Sequence, residues 1–180
     1  MLVITAALAG VVDADTRTTS NSCETLPGVN SSVALANWMT CAVDRFFPHP
    51  TNTAWDTAYD EVFSPDVRAS FNGTKFDFQG FKSLYHVFNQ SLALHFGKAF
   101  SHETVDVVAV PNQHDKGGFV YITGREGGKT VIGTDVWLSD AAFAEVIEID
   151  GKRVIIEMRE SSNLPYVGPL PGVKNWTCSW

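Results

Sequence analysis

Two carboxylates, one histidine and one tyrosine are the residues of this chain best suited to transfer protons. Asp135 and Glu157 lie in segments that alternate as strands, Tyr85 lies on the apolar stripe of a helix, and His95 follows that stripe. A carboxyl group in an apolar cavity has a raised pKa and acts as a general acid or base. Histidine transfers protons near neutral pH, and a phenol donates a hydrogen bond to a developing oxyanion. These four residues therefore predict acid/base chemistry.

Each of these candidates also fits a purely structural role. Asp135 could instead be a solvent-exposed strand residue. Glu157 shares its predicted face with Ile155 and Arg159, so it could instead form an ion pair. His95 fits the end of a helix, where a cationic side chain is favoured. We expect the other histidines to be exposed: one shares a helix side with a glycosylation sequon, and the rest lie in loops or near strand ends. These are His49, His86, His102 and His114.

Aromatic residues are numerous enough to line a cavity for an apolar ligand. They recur at helical or strand spacing, which is equally typical of an ordinary core. The aromatic side chains that we predict to contact a ligand are Tyr59, Tyr121, Trp38, Trp55, Phe88 and Trp137.

The composition excludes several classes of partner. The chain has 180 residues, which favours one domain, and a formal net charge of −7. It has no cluster of Lys and Arg that would neutralise phosphates, so we predict no nucleic-acid partner and no polybasic membrane contact. No paired C-x-x-C motif occurs, so the spacing predicts no zinc site and we expect no metal.

The N-terminus and the sequons predict the secretory pathway. An apolar run from Leu2 to Val12 ends at Val12-Asp13-Ala14, which favours a signal peptide over residues 1–14 with cleavage after Ala14. Asn-x-Ser/Thr sequons accept a glycan only in a secretory lumen. They occur at Asn30, Asn72, Asn89 and Asn175. We therefore expect a glycoprotein that is secreted or lumenal in the endoplasmic reticulum.

The chain has three cysteines, which in an oxidising lumen predict one disulfide and one free thiol. Cys23 and Cys178 lie near the two mature termini, and Cys41 lies in the first predicted helix. The favoured pairs are Cys41–Cys178 and Cys23–Cys178, and the sequence does not choose between them.

Helices come first in the predicted order of elements. After a flexible lead-in at 15–31, Ser32 is predicted to cap a helix that ends before Pro48, and a short helix follows around Trp55 and Tyr59. The later predicted features are a turn at Ser64-Pro65-Asp66, a strand at Val67–Phe71, a turn at Asn72-Gly73 and a helix at Phe78–Phe96.

Strands follow the last predicted helix. Their predicted ranges are Thr104–Val110, Phe119–Gly124, Thr130–Leu138, Phe143–Ile149 and Arg153–Arg159, with turns at Gly127-Gly128 and Asp150-Gly151. This order predicts an α+β domain over 32–163, in which helices pack on a curved antiparallel sheet, and an irregular tail at 164–180.

Three stretches together resemble the nuclear transport factor 2-like superfamily, which includes SnoaL-type polyketide cyclases and scytalone dehydratase. The stretches are Trp55-Asp56-Thr57-Ala58-Tyr59-Asp60-Glu61-Val62-Phe63-Ser64-Pro65-Asp66-Val67, Gly80-Phe81-Lys82-Ser83-Leu84, and Val146-Ile147-Glu148-Ile149-Asp150-Gly151-Lys152-Arg153-Val154-Ile155-Ile156-Glu157. They resemble an early helix leading into a strand, the start of the long third helix, and the final hairpin.

The resemblance implies a cone-shaped cavity between helices and sheet, with proton transfer inside it and no metal or organic cofactor. The aspartate of the SnoaL-type cyclases would fall near Ser161-Ser162-Asn163, where this chain has none. Ser161 and Asn163, and the pair Tyr59-Asp60, are loosely similar to scytalone dehydratase positions.

Together these features predict a cofactor-free cyclase, isomerase or dehydratase that acts on an apolar secondary metabolite, a terpenoid or polyketide. The chemistry is either proton transfer or a pericyclic ring closure directed by cavity shape. The alternative is a non-catalytic secreted protein that binds a lipophilic ligand or another protein, and a homodimer through the sheet is a further option. Two or more titratable groups converging in the cavity favour the acid/base enzyme.

Overall fold

The computed structural model describes residue 23 and residues 30–164. The predicted signal peptide, most of the lead-in, the tail from residue 165 and the sequon at Asn175 lie outside the described residues. In the part of the chain that is described, no helix is long and apolar enough to cross a membrane.

Three helices pack on one face of a curved six-stranded sheet, which confirms the predicted α+β architecture. The helices are α1 (Ser31–Phe46), α2 (Trp55–Val62) and α3 (Phe78–Phe96). The strands are β1 (Phe63–Phe71), β2 (Thr74–Phe76), β3 (Phe100–Pro111), β4 (Gly118–Lys129), β5 (Asp135–Ile149) and β6 (Lys152–Ser162). The strand order is β2-β1-β6-β5-β4-β3.

One pair of strands departs from the expected antiparallel sheet, because β1 runs parallel to β6. Strands β3 to β6 form a meander, and β6 is its last strand. β1, which comes earlier in the chain, pairs with the edge of β6 that β5 does not occupy. The meander strands are antiparallel to one another, so only this contact between the early and late parts of the chain is parallel.

Side-chain caps fix where the long helices begin. The Asn30 side chain accepts a hydrogen bond from the Ser32 backbone nitrogen at 2.9 Å, so α1 starts one residue before the predicted cap at Ser32. Asp77 accepts from the Gly80 nitrogen at 2.8 Å and starts α3 at its predicted boundary. The caps orient α1 and α3 so that their apolar stripes face the sheet.

Two predicted turns are wrong because the residues lie inside strands. Ser64-Pro65-Asp66 belongs to β1, and the β1/β6 register shifts between Phe63 and Arg68, where proline supplies no N–H to the ladder. Gly127 and Gly128 belong to β4. A Cβ on Gly127 or Gly128 would lie 2.1 Å from the backbone oxygen of Val136 in β5 or of Ala99 just before β3, so these glycines permit close approach rather than reversal.

The predicted strands at Thr130–Leu138 and Phe143–Ile149 are in fact one strand, β5, and the chain reverses at residues 130–134. The Asp150-Gly151 turn before β6 is confirmed. The short strand β2, which follows the confirmed Asn72-Gly73 turn, was not predicted.

A β-bulge at Ile156 decides which side chains of β6 enter the core. Val146 of β5 pairs with Ile155, whereas the preceding residue of β5 pairs with Glu157, so β6 contains one extra residue. Ile155 and Met158, three apart, are both buried in the core. Because the bulge resets the alternation, Glu157 points to the outer face and Glu160 points inward.

Cys23 and Cys41 form a disulfide, so both predicted pairings with Cys178 are wrong. Cys23 packs against the core beside α1. Cys41 lies ten residues into α1, about 15 Å along the helix axis, a distance that the short segment after Cys23 can span. Cys178 lies outside the described residues.

Candidate functional site

A small cavity lies where α1 and α3 cross the concave face of the sheet. Its volume is about 10 Å³, room for about one water molecule. The wall combines apolar side chains from α1 and the sheet with polar side chains from α3 and the sheet. The lining residues are Val43, Phe46, Phe47, Tyr85, His102, Thr104, Ile122, Gly124, Asp140, Ala142, Met158 and Glu160.

His102 of β3 and Asp140 of β5 form an ion pair across the intervening strand. Their Nε2 and Oδ2 atoms are 3.4 Å apart, and the side chains are only 6% and 11% exposed. Phe47, just after α1, stacks on the imidazole with ring centroids 4.1 Å apart. Burial by itself lowers the pKa of His102, but Asp140 and the buried glutamates outweigh it, so this pKa is raised and the imidazolium is favoured.

Gly124 of β4 makes room for this pair. A Cβ at position 124 would lie 2.3 Å from Oδ1 of Asp140. A larger residue would therefore displace the carboxylate. Because Gly124 has no side chain, His102 of β3 and Asp140 of β5 can meet across β4.

Glu160 of β6 is a buried acid hydrogen-bonded to α3. The Tyr85 hydroxyl donates to its Oε2 at 2.9 Å. Burial first, and then the charge of Glu126, raise the pKa of Glu160 to about 8, whereas the hydrogen bond from Tyr85 opposes the rise. Burial and Glu160 also raise the pKa of Tyr85. At pH 7 both groups hold their protons.

Glu126 of β4 lies behind the cavity wall and completes the buried acidic cluster. It is 1% exposed and accepts a hydrogen bond from the Ser162 hydroxyl at 2.8 Å. Burial raises the pKa of Glu126, and the contacts with Ser162 and His102 lower it in part. Although Glu126 lies outside the cavity, its charge raises the pKa values of Glu160 and His102.

Three buried polar atoms of this site have no hydrogen-bond partner among the described residues: Nδ1 of His102, Oγ1 of Thr104 and Oδ1 of Asp140. Buried polar atoms nearly always have a partner. All three residues line the cavity, so the atoms can bind a polar group or a water molecule. Within the same described part of the chain, no group of three metal-binding side chains is arranged to hold an ion.

Of the four predicted catalytic residues, only Tyr85 lies in the cavity wall. Glu157 is buried on the outer face of the sheet, where it pairs with Arg68 and Arg159. Asp135 and His95 are exposed: Asp135 begins β5, and His95 lies in the last turn of α3. The structure does not bring these four residues together.

The predicted ligand-binding aromatics divide between the core and the outer surface. Trp38, Trp55 and Phe88 are buried in the core, and the Tyr59 hydroxyl donates to the Phe78 carbonyl at 3.1 Å. Tyr121 and Trp137 are 55% and 45% exposed on the outer face of the sheet. None of the six lines the cavity described above.

The residues similar to scytalone dehydratase positions also lie away from the cavity. Asp60 pairs with Lys82 on the surface, and Ser161 and Asn163 are exposed. The Asn163 side chain accepts a hydrogen bond from the Ser139 nitrogen at 2.8 Å.

Four residues of the cluster were not predicted as site residues from the sequence: His102, Asp140, Glu160 and Glu126. His102 was expected to be exposed, but β3 begins at Phe100, four residues before the predicted start, and places His102 within the strand. The alternation of Val120, Ile122 and Glu126 along β4 would have indicated that Glu126 faces inward. The inward position of Glu160 depends on the bulge, which alternation does not reveal.

The sequons occupy different environments in the structure. Asn30 is exposed at the α1 cap, Asn72 is exposed in the β1–β2 turn, and Asn89 on α3 is half-buried.

No protein-family model matches the sequence, and no curated protein matches it. Solved structures do match the fold. A protein of unknown function from Mycobacterium tuberculosis has a TM-score of 0.53 at 15% identity, covering 69% of each chain. A Nostoc punctiforme protein of unknown function, with a cystatin-like fold, has a TM-score of 0.51 at 11% identity over 70% of this chain and 89% of that one.

A protein from Jannaschia, provisionally named a SnoaL-like polyketide cyclase, has a TM-score of 0.45 at 20% identity, covering 69% of this chain and 85% of that one. The two matches with TM-scores above 0.5 show a shared fold and, at identities this low, nothing of activity. Helices packed on a curved sheet that closes over a cavity make this the cone-shaped nuclear transport factor 2-like fold.

Proposed function

We propose that this protein is an enzyme that transfers protons on a small apolar molecule bound in the cone. The supporting observation is the convergence of Tyr85, His102, Asp140 and Glu160 on one cavity. Burying ionisable groups costs free energy that a passive core would avoid. A ligand carrier or a pericyclic catalyst needs shape and few polar contacts, so this cluster favours acid/base chemistry.

His102 is the proposed proton carrier. Asp140 holds Nε2 of the imidazole, which leaves Nδ1 without a partner within the described residues and on the cavity side. When neutral, Nδ1 removes a proton from the substrate, and when charged it returns the proton to another atom. Asp140 orients the ring and stabilises the imidazolium.

Glu160 is the proposed acid in the cavity wall. Since it is neutral at pH 7, it can donate a hydrogen bond or a proton to an oxygen that gains charge in the reaction. Tyr85 fixes the carboxyl group in place through its hydroxyl. Proton removal by His102 and oxygen stabilisation by Glu160 together suit an isomerase, a lyase or a cyclase.

The cavity wall indicates the class of substrate. Val43, Phe47, Ile122 and Met158 make much of the wall apolar, and the unpaired polar atoms belong to residues of the same wall. A mainly apolar molecule with a carbonyl or hydroxyl group, such as a terpenoid or polyketide, satisfies both. Because the cavity has room for only about one water molecule, binding requires that wall side chains move, and the flexible Met158 is suited to this.

The secretory pathway is the proposed compartment. The Cys23–Cys41 disulfide is compatible with an oxidising lumen. The apolar N-terminus and the sequons support the same location. We expect the mature protein to begin after Ala14 and to be secreted or lumenal.

Solvent-proton exchange tests the proposed activity without a known substrate. We expect the protein, incubated in D₂O with a panel of terpenoid and polyketide ketones and alcohols, to convert at least one compound or to load it with deuterium, as read by mass spectrometry. A compound that binds tightly but neither exchanges nor changes would instead support the alternative, a lipophilic-ligand binder.

A further inference from the structure

Asn72, an exposed residue of the β1–β2 turn, is hydrogen-bonded to the end of β6. Its backbone nitrogen donates to the Glu160 carbonyl at 3.0 Å. Its side-chain nitrogen donates to the Ser162 carbonyl at 2.8 Å, and its side-chain oxygen accepts from the Ser162 nitrogen at 3.0 Å. The β1/β6 ladder ends at Phe71, so the amide of Asn72 extends the pairing after the backbone turns away.

The segment held by Asn72 carries the buried acid Glu160 and contacts a second one, Glu126 of β4. Glu160 lies two residues before Ser162, and the Ser162 hydroxyl donates to Glu126. The same hydroxyl accepts from the Leu164 nitrogen at 2.9 Å. A loosened strand end would therefore displace Glu160, remove the hydrogen bond from Ser162 to Glu126, and admit water to both carboxyl groups.

The turn conformation alone does not explain the choice of asparagine. Asn72 has a φ of 48°, in the left-handed region where glycine and asparagine are both tolerated. Glycine already occupies the next position, 73, with a φ of 82°. What asparagine adds is the amide that binds both backbone groups of Ser162.

The same amide is the acceptor nitrogen of the sequon Asn72-Gly73-Thr74. A glycosylated amide is planar and trans, so the sugar carbon lies on the same side of the C–N bond as the side-chain oxygen. The side-chain oxygen and nitrogen of Asn72 bind the backbone N–H and C=O of the same residue, Ser162. The hydrogen donated to Ser162 is therefore the one on the same side as the oxygen, which is the hydrogen that the sugar would replace. A glycan at Asn72 and this pair of hydrogen bonds therefore exclude each other.

We propose that Asn72 is a positioning residue for the buried acids Glu160 and Glu126, and that its side-chain nitrogen carries no glycan in the folded protein. The positioning role rests on the proposed function only in naming Glu160 as a reacting group. The hydrogen bonds and the exclusion of a glycan stand whether or not the protein is an enzyme.

Titration of the glutamate carboxyls tests the positioning role. Asn72→Gly removes the amide and keeps the left-handed turn, whereas Thr74→Ala removes the sequon and keeps the amide. In ¹³C NMR of glutamate-labelled protein, we expect the pKa of Glu160 to fall by about one unit or more in Asn72→Gly, because water reaches the carboxyl group. Thr74→Ala should match the wild type.

An unchanged Glu160 titration in folded Asn72→Gly would overturn the positioning role. If that variant does not fold, Asn72→Ser, which removes the amide without adding a charge, replaces it under the same criterion. Because neither measurement uses turnover, a protein that shows the shift but has no activity refutes the proposed function and leaves the role of Asn72 intact.

Glycopeptide mapping of folded protein from a glycosylating secretory host tests the proposal that Asn72 carries no glycan. We expect an unmodified Asn72 beside an occupied Asn30, whose helix cap uses the side-chain oxygen. Predominant occupancy of Asn72 in the folded fraction would overturn the exclusion.

Discussion

At the scale of single residues, the protonation of Glu160 controls the properties of the site. The carboxyl group is buried, it is close enough to Glu126 for that charge to oppose its ionisation, and it receives a hydrogen bond from Tyr85. Its proton is therefore retained well above the pH at which an exposed glutamate ionises. The raised pKa makes Glu160 a usable acid, and it also makes the folded state sensitive to pH.

We predict that the stability of the protein falls as pH rises from about 4.5 towards 8. Unfolded Glu160 loses its proton near its ordinary pKa of 4.5, whereas the folded protein keeps the proton up to about 8. The unfolded state thus binds fewer protons in this window, and stability declines, by an amount on the order of a few kcal/mol. The raised pKa of His102 acts in the same direction above its ordinary value of 6.5.

Urea unfolding at a series of pH values measures this decline. Glu160→Gln removes the titrating group and should flatten the profile between pH 5 and 8. Asp135→Asn, at an exposed position, is the matched control and should reproduce the wild-type slope. Equal slopes in wild type and Glu160→Gln would show that Glu160 is not a buried neutral acid.

How far single residues could be predicted from the sequence depended on the element that carried them. Tyr85 was correctly placed on the inward stripe of α3, because a long helix has a regular period. Strand alternation led to the choice of Asp135 and Glu157 as the inward carboxylates, whereas Asp140 and Glu160 line the cavity. Choosing among carboxylates on strands needs the register between strands, which one sequence does not contain.

At the scale of elements, two irregularities build the site. The bulge at Ile156 turns Glu160 inward and Glu157 outward. A second register shift in β3, between Thr104 and Asp106, leaves Val105 exposed and keeps His102 and Thr104 on the concave face. Each irregularity changes which face of the sheet the following side chains point to. Strict alternation along the strand would therefore assign these side chains to the wrong face.

The predicted bounds of α3 are confirmed because capping and periodicity are local signals. The length of β5 was not predicted, because its ladder with β4 and β6 overrides the local turn signals. Gly127 and Gly128 similarly resemble a turn in sequence, yet their role depends on backbones that approach from other strands.

The disulfide ties the segment before α1 to the helix that covers the cavity. We predict that Cys23→Ser or Cys41→Ser lowers the free energy of unfolding by about 3 kcal/mol, since the bond closes a loop of 18 residues. Chemical denaturation under non-reducing conditions measures the loss.

Cys178→Ser is the control and should leave stability unchanged. Peptide mapping of the oxidised protein should recover Cys23 joined to Cys41. A recovered bond from either residue to Cys178 would contradict the structure and restore the pairing expected from the sequence.

At the scale of the whole molecule, the outer face of the sheet is unusually apolar for a surface. Its exposed hydrophobic side chains are Val108, Val110, Phe119, Tyr121 and Trp137. Phe143 packs against Phe119 and Tyr121 within the same face. Contiguous apolar patches of this kind mark interaction surfaces.

We propose that a second copy of the chain covers this face. The patch also carries charges of both signs, including Arg125 paired with Glu103 and Arg159 paired with Glu157. A copy related by a two-fold axis can therefore oppose arginine to glutamate while the aromatic rings meet.

Sedimentation velocity should show a homodimer that Tyr121→Glu converts to a monomer, because the new charge would be buried against apolar side chains. Ile132→Glu is the control, since Ile132 is 85% exposed in the β4–β5 turn rather than on this face. A wild-type monomer at tens of micromolar would contradict the proposed dimer.

The central claim is that His102, held by Asp140, and Glu160 transfer protons in the cone, and deuterium exchange by site variants tests it most directly. With a compound that wild type converts or labels in D₂O, Asp140→Asn and Glu160→Gln should each lower the rate by about 100-fold or more. Asp135→Asn and His95→Gln, at exposed positions, should retain it. If the site variants keep the wild-type rate, or if wild type exchanges no member of the panel, the cavity is not an acid/base active site.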